Sequence, residues 1–441
     1  MAPSPPSTIL SNTLVFPNDD QRFWWDTIAP TMQNLMTNAQ YETLVQLQHL
    51  LFIYRHVLPI MGPRPRPRPR PSSGPGSDKP TAVWRSFMCD DTTPLEISVN
   101  FHDRKATVRL GFEPIGPDAG TPLDPFNQRA VQQFVQDLET TNTVTHWTWY
   151  RQLSEMLLVS PADASVIKAQ LPASEHQSQH FFGFGFVSEI DSSLQAAPPP
   201  MKAYFIPQLR SILTGETEIK LICNAIKALD LPDEKMTATP SSPLFTSALT
   251  MLETYLAIDE TKLRAECLAF DCIDPSQSRL KIYLRSRHTS LRSAQDVFTL
   301  GGRLTGPNID AGLSVLCELW GLLFDLPRDH KDDDPLPLNN HRSAGILFNA
   351  ELRPGKPTPE IQVYLPVRHY ARTDLAVAEG LATYFHRQGW HHLAASYVHD
   401  LRERFPSHAI DTQLGTHTYV SYSFKKGKPY VTVYYNPKVY S

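Results

Sequence analysis

A chain of 441 residues, 41% hydrophobic and 20% charged, has enough apolar material for a large folded core, and its net charge of −4 offers no basic surplus for nucleic acid or an anionic membrane. No secretory-type apolar run opens it, and the longest apolar stretches, such as LLFIY at 50–54, are far short of a membrane span. Five scattered cysteines suit a reduced, cytoplasmic protein, and Cys267 and Cys272 lack the second ligand pair of a zinc site.

The first 20 residues begin polar and Pro-rich (MAPSPPSTILSNT) and are expected to be disordered, leaving 21–441 as one domain. Within it, 62–80 carries Pro at every second position for much of its length and reads as an extended loop. Its Arg64, Arg66, Arg68 and Arg70 could hold an anion, although a solvated loop is the simpler reading. Five pairs of β-rich stretches follow, with turn residues between the members of each pair. They are PLEISVNF (94–101) with TVRLGFEP (107–114), HFFGFGFV (180–187) with MKAYFIP (201–207), and ECLAFDC (266–272) with RLKIYL (279–284). The last two pairs are GILFNAEL (345–352) with EIQVYLP (360–366) and TYVSYSF (418–424) with YVTVYY (430–435).

Helical periodicity fills the intervals. Over 308–324, Ile309, Leu313, Leu316, Trp320 and Leu323 fall on one face; over 374–388, Leu375, Ala378, Leu381 and Phe385 do the same, with Asp374 as the expected N-cap. Similar patterns cover 125–158, 208–228 and 242–257. The chain is therefore α+β, a helices-then-hairpin unit repeated about five times. Consecutive hairpins tend to neighbour one another, and a ten-stranded antiparallel sheet removes its edges by closing into a barrel. Helices outside would cover the apolar strand face, and the other face would line a lumen.

The second strand of each pair then matters. Arg109, Lys202 with Tyr204, Arg279 with Lys281 and Tyr283, Gln362 with Tyr364, and Tyr430 with Tyr434 each sit at even spacings, hence on one face. Any one of these strands alone would be read as half-exposed. Five together point inward, and buried cations need an anion. The strands offer few carboxylates, so the anion would be a ligand: four cations suit a diphosphate, and phenol faces suit a carbocation. Cation plus diphosphate is the chemistry of prenyl transfer.

Here the motifs PLE (94–96), VRLGFEP (108–114), KAYFIP (202–207), RLKIY (279–283), TLGGR (299–303), QVY (362–364) and YVTVYY (430–435), in this order from about Phe23 to the C-terminus, resemble the fungal aromatic prenyltransferases of the dimethylallyltryptophan synthase type. The resemblance implies a ten-stranded prenyltransferase barrel of secondary metabolism, soluble and cytoplasmic, with no metal and no cofactor. Its donor substrate would be dimethylallyl diphosphate and its acceptor a small aromatic molecule; neither nucleic acid nor membrane is expected, and a homodimer is compatible with the chain. By resemblance, Arg109, Lys202, Arg279 and Lys281 bind the diphosphate, while Tyr204, Tyr283, Tyr364, Tyr430 and Tyr434, with Gln362, shield the cation. Glu96 accepts the indole N–H. Some members carry a lysine as base before the KAYFIP strand; here the region reads GFVSEID, and Glu189, the nearest ionisable group, is the candidate catalytic base, a solvated strand end being the alternative. That departure and the wording around PLE bring the chain closer to members acting on tryptophan-containing cyclic dipeptides than to those using free tryptophan. The alternatives are a phenolic or polyketide acceptor, and a non-catalytic barrel binding an anionic isoprenoid.

Other motifs read as structural. KDDDP (331–335) lies in polar, Pro-rich surroundings and is expected to be a surface loop rather than a magnesium site. His386, His391, His392 and His399 straddle Gly389 between helices. GFGF (183–186) lacks the helix and acid of a dinucleotide fingerprint, and TLGGR is expected to end a helix with glycine as cap.

Overall fold

The ten alternating stretches all become strands: β1 Leu95–His102, β2 Lys105–Phe112, β3 His180–Phe186, β4 Met201–Phe205, β5 Leu263–Asp271, β6 Leu280–Ser286, β7 Ile346–Leu352, β8 Glu360–Leu365, β9 His417–Lys425 and β10 Lys428–Tyr435. The structure is a computed structural model that describes residues 4–66, 82–102, 105–141, 145–172, 175–189, 199–229, 245–258, 263–327 and 329–441. Each strand pairs antiparallel with its sequence neighbours, and β1 closes on β10 from Ile97↔Tyr435 to His102↔Tyr430, so the sheet is a closed barrel. Closure leaves no unpaired edge.

Helices precede every hairpin. They are α1 Pro6–Thr13, α2 Asp19–Asn38 and α3 Thr43–Phe52 before the first hairpin, then α4 Arg129–Thr141, α5 Thr148–Leu157 and α6 Ala164–Gln170 before the second. The third follows α7 Gln208–Thr214, α8 Glu218–Lys227 and α9 Thr246–Leu256; the fourth follows α10 Leu291–Thr299 and α11 Pro307–Phe324. The last follows α12 Val367–Tyr370, α13 Asp374–Arg387 and α14 His391–Arg404. Between this ring and the barrel lies one continuous apolar core. Into it the strands send Leu95, Ile97 and Val99 (β1), Phe182, Phe184 and Phe186 (β3), and Leu280, Ile282 and Leu284 (β6). From the helices it receives Leu316, Leu319, Trp320 and Leu323 of α11 and Val377, Ala378 and Leu381 of α13. A second, smaller cluster of Cys267, Ala269, Tyr283, Leu347, Tyr364 and Tyr419 lies on the lumen side. No described helix is long and apolar enough to cross a membrane.

Four expectations change. Residues 6–13 are helical rather than disordered: Pro6 starts α1, Leu10 is buried, and Ser11 Oγ accepts the Trp25 indole N–H at 2.8 Å. Asp374 is not the N-cap of α13. Thr373 accepts the Ala376 amide instead, and the wholly buried Asp374 carboxylate accepts the backbone amides of Thr416 (2.9 Å) and His417 (2.8 Å), tying the helix to the start of β9. In TLGGR the helix does end, but Leu300 takes the left-handed cap conformation before Gly301 and Gly302. Finally, Arg64 pairs with Asp19 at 3.1 Å, while Arg68, Arg70 and most of the 62–80 stretch lie outside the described residues.

Candidate active site

The barrel carries charge at both ends and phenols between. Near the hairpin tips, Lys202 of β4 pairs with Asp271 at the end of β5, and Arg279, just before β6, grips the same carboxylate through Nε (2.5 Å) and Nη2 (3.0 Å). Glu351 of β7, 1% exposed, meets Lys281 at 3.2 Å, Arg279 at 3.6 Å, Lys425 at 2.9 Å and Arg353 at 2.6 Å. Burial would raise both acids, but these cations more than reverse it and hold both below the usual carboxylate range. The cations are therefore partly compensated within the protein, contrary to the expectation that the strands offered few carboxylates. A surplus survives. Arg109, Lys202, Arg279, Lys281, Arg353 and Lys425 face Asp271, Glu351 and Glu360, an excess of three positive charges when Lys281 is protonated, as it becomes beside a bound anion, and Arg109 has no carboxylate partner among the described residues. Burial pulls Lys281 down to about 7, Glu351 opposing.

Above this cluster the aromatic rings run round the wall. Phe181 stacks on Tyr204 at 4.2 Å; Tyr204 and Tyr283 are 6.0 Å apart, Tyr283 and Tyr364 5.8 Å, and Tyr364 and Tyr434 5.7 Å. Burial pushes these four phenols above the ordinary value, so they stay neutral and present π-faces rather than charges. Gln362 donates to Ser421 Oγ at 2.8 Å and sits in a buried polar layer with Asn349, which donates to Tyr364 OH at 3.0 Å. Tyr430 stacks on His102, its partner across the β1–β10 closure, near the hairpin tips of both strands.

Glu96 lines a cavity of about 300 Å³ together with Arg109, its diagonal neighbour on β2, and with Tyr204, Tyr283, Tyr364 and Tyr434. Burial raises its carboxyl to about 7, against a hydrogen bond from Thr418 (2.5 Å) and the field of Arg368. Around it stand groups that the strand reading missed. Arg285 holds Glu266 at 2.8 Å, Arg368 holds Asp90 at 3.1 Å, and both guanidiniums donate to the Tyr419 hydroxyl. Arg342 lines the same cavity, donates to the Phe87 carbonyl at 3.1 Å, lies over the Phe87 ring, and has no carboxylate partner among the described residues. Lys425, Asp271, Glu351 and Tyr419 were all readable, since each shares lumen parity with its strand neighbours. Arg342 and Arg368 lie on loops and short helix, where no periodicity exists to read.

Glu189 is not brought to the lumen. β3 ends at Phe186 and turns Phe181, Gly183 and Gly185 inward, so Glu189 falls beyond the strand, 86% exposed and paired with Lys105 at 3.8 Å. KDDDP is an exposed turn that caps itself through the Lys331 amide and Asp334. Among the described residues, Asp90, His341 and His369 offer metal-ligand atoms within 4.8 Å of one another, but the Arg368 guanidinium already supplies the positive charge there.

Cations at one end of a closed lumen, with neutral phenols above them, divide the labour as an aromatic prenyltransferase requires, and this barrel is of that class. Known proteins narrow it further. The sequence pattern of the family described as tryptophan dimethylallyltransferase matches residues 20–400, and the chain belongs to that family. It is 38% identical to a 7-dimethylallyltryptophan synthase of Aspergillus fumigatus, over 96% of this chain and 87% of that one. Its fold superposes on the crystal structure of AnaPT from Neosartorya fischeri with TM-score 0.81 at 28% identity, covering 98% of both chains. NotF, solved in complex with brevianamide F and DMSPP, matches at TM-score 0.79 and 26% identity over 99% of both.

Proposed function

We propose that the protein transfers a dimethylallyl group from dimethylallyl diphosphate to the indole ring of a tryptophan-derived acceptor. The observation that carries this is the excess of three positive charges at one end of the lumen, which matches the roughly three negative charges of a diphosphate monoester and needs no metal to complete it. The C–O bond breaks with its electron pair leaving on the diphosphate, which the cations stabilise as its charge grows. The allylic cation left behind lies against the faces of Tyr204, Tyr283, Tyr364 and Tyr434, which attract it and exclude water. The arene then attacks to form a C–C bond, Glu96 accepts the indole N–H and offsets charge developing on the ring, and the ring proton passes to the released diphosphate, the base that the reaction itself supplies, restoring aromaticity.

The acceptor reading turns on Arg342. A guanidinium on the cavity wall with no carboxylate of its own favours an acceptor with a free carboxylate, tryptophan itself, over a neutral cyclic dipeptide. This departs from the cyclic-dipeptide expectation. A panel of tryptophan, a tryptophan-containing cyclic dipeptide and a phenolic acceptor tests it, with EDTA present. Turnover with tryptophan, undiminished by EDTA, is expected. Turnover with the cyclic dipeptide alone would return the reading to that class, and absence of turnover with every arene would leave a binding barrel.

A further inference from the structure

The alternation of β9 breaks at one place. Val433 of β10 pairs with Val420, and Tyr435 pairs with His417, so Thr418 and Tyr419 together oppose Tyr434. A bulge of this kind turns two successive residues to one face, and bulges commonly re-aim a side chain beside an active site. Here His417 remains on the outer side, with Asp374 and Tyr397, and Val420 is in the outer core. Tyr419 enters the lumen toward Arg285 and Arg368. Thr418 enters it as well, which regular alternation would forbid. Its hydroxyl reaches across β10 to Glu96 Oε1 on β1, at 2.5 Å, and Thr418 is only 1% exposed. Among the described residues no donor is bonded to Glu96 Oε2.

We propose that Thr418 is a positioning residue for the prenyl-transfer site: carried inward by the β9 bulge, it holds Glu96 Oε1 so that Oε2 is left aimed at the indole N–H of the acceptor. The proposal rests on the reading of Glu96 as the indole anchor. A carboxylate that rotated freely would present either oxygen in many directions, and binding would have to order it; a fixed oxygen removes that cost and defines where the indole nitrogen sits. The neighbours leave this task to Thr418. Arg368 on α12 is committed to Asp90 and Tyr419, Asp90 repels Glu96, and the thiol of Cys89 donates to the Leu95 carbonyl. Tyr434, on the intervening strand, also faces Glu96, and its ring packs toward Tyr364. The Thr418 hydrogen bond also favours the ionised carboxylate.

The test is the pH profile of kcat/KM for the acceptor, on Thr418→Val, Thr418→Ser and Glu96→Gln, with thermal melting and donor affinity measured alongside. Thr418→Val keeps shape and β-propensity while deleting the hydroxyl. The acid limb, where Glu96 must lose its proton, is expected to move up by about one pH unit, and Thr418→Ser is expected to restore it. Donor affinity is expected to be unchanged. If Thr418→Val loses rate equally at all pH values and the limb stays where it was, the residue is merely structural and the proposal falls. If Glu96→Gln abolishes the limb while Thr418→Val leaves it in place, only the Thr418 assignment is overturned; if Glu96→Gln keeps the limb, the assignment of Glu96 falls and this one with it.

Discussion

Glu96 and Lys281 occupy opposite ends of one lumen, and both are pushed by burial toward neutral pH from opposite directions. On the proposed reading Glu96 accepts the indole N–H, and the ionised carboxylate is the stronger acceptor, so acceptor turnover is expected to rise as pH climbs through about 7. Glu96→Gln is expected to lower indole alkylation by roughly 10²–10³-fold while leaving donor affinity intact, a split that steady-state kinetics and donor titration measure separately. Lys281 works the other way. Buried and held down to about 7, it is largely neutral at pH 8 in the free protein, and an arriving diphosphate restores its charge, so donor binding takes up a proton. Calorimetric titration of dimethylallyl diphosphate in buffers of different ionisation enthalpy is expected to show that uptake, and Lys281→Ala is expected to lose it along with donor affinity. Glu189→Gln, by contrast, is expected to leave turnover unchanged, because an exposed side chain paired with Lys105 has no route to the ring proton. Arg342→Met is expected to raise KM for tryptophan by about ten- to a hundredfold, the worth of a charge-assisted hydrogen bond, and to spare a neutral indole.

The strands could be read from the sequence because most alternate apolar with polar or small residues and are rich in aromatic or β-branched side chains, and turn residues or polar segments separate the members of each pair, even across 187–200 between β3 and β4. Shared faces followed from parity and their inward direction from helices over the apolar side; Arg109, Lys202 and the tyrosines at 204, 283, 364 and 434 line one cavity, and Lys281 lies beside it on Glu351. Parity would also have found Asp271 and Glu351, four residues beyond Cys267 and Leu347 on lumen-facing rows; reading only the second strand of each pair concealed them. The bulges could not be read. One on β5 adds Glu266 to the lumen beside Cys267, and one on β9 adds Thr418 beside Tyr419, and a register shift depends on the partner strand rather than on local composition. What fixes the β9 entry is Asp374, whose carboxylate accepts the amides of Thr416 and His417 and lies 3.1 Å from His417 Nδ1. Asp374→Ala is expected to cost about 3 kcal/mol by stranding those buried donors, a loss seen in chemical denaturation. Burial raises this carboxyl, but its bonds to His417 and the backbone lower it further, to below its ordinary 3.8. Its stabilisation is therefore present above pH 3.8 and is lost as pH falls through the lower folded value, so the wild-type advantage over Asp374→Ala should shrink only in strong acid.

Across the whole molecule, an acidic chain of net charge −4 concentrates positive charge at one end of a closed barrel, where Lys281 and Lys425 are largely buried and Lys202 and Arg279 partly so. Closure is what makes this arrangement usable: the same strands in an open sheet would leave Lys202, Arg279 and Lys281 in water, where their attraction for an anion is weak. The N-terminal helix belongs to that enclosure. It packs Leu10 against the core and joins α2 through the Trp25–Ser11 hydrogen bond, an order that its polar, Pro-rich composition did not suggest because the burial comes from tertiary partners. Incubation of the purified protein with dimethylallyl diphosphate and tryptophan, following diphosphate release and product mass together, is the direct measurement. Diphosphate release matched by tryptophan carrying one added dimethylallyl group, with product lost in Glu96→Gln at unchanged donor affinity, is the predicted result. Donor bound tightly, with no alkylated product from tryptophan or any other arene offered, would contradict it.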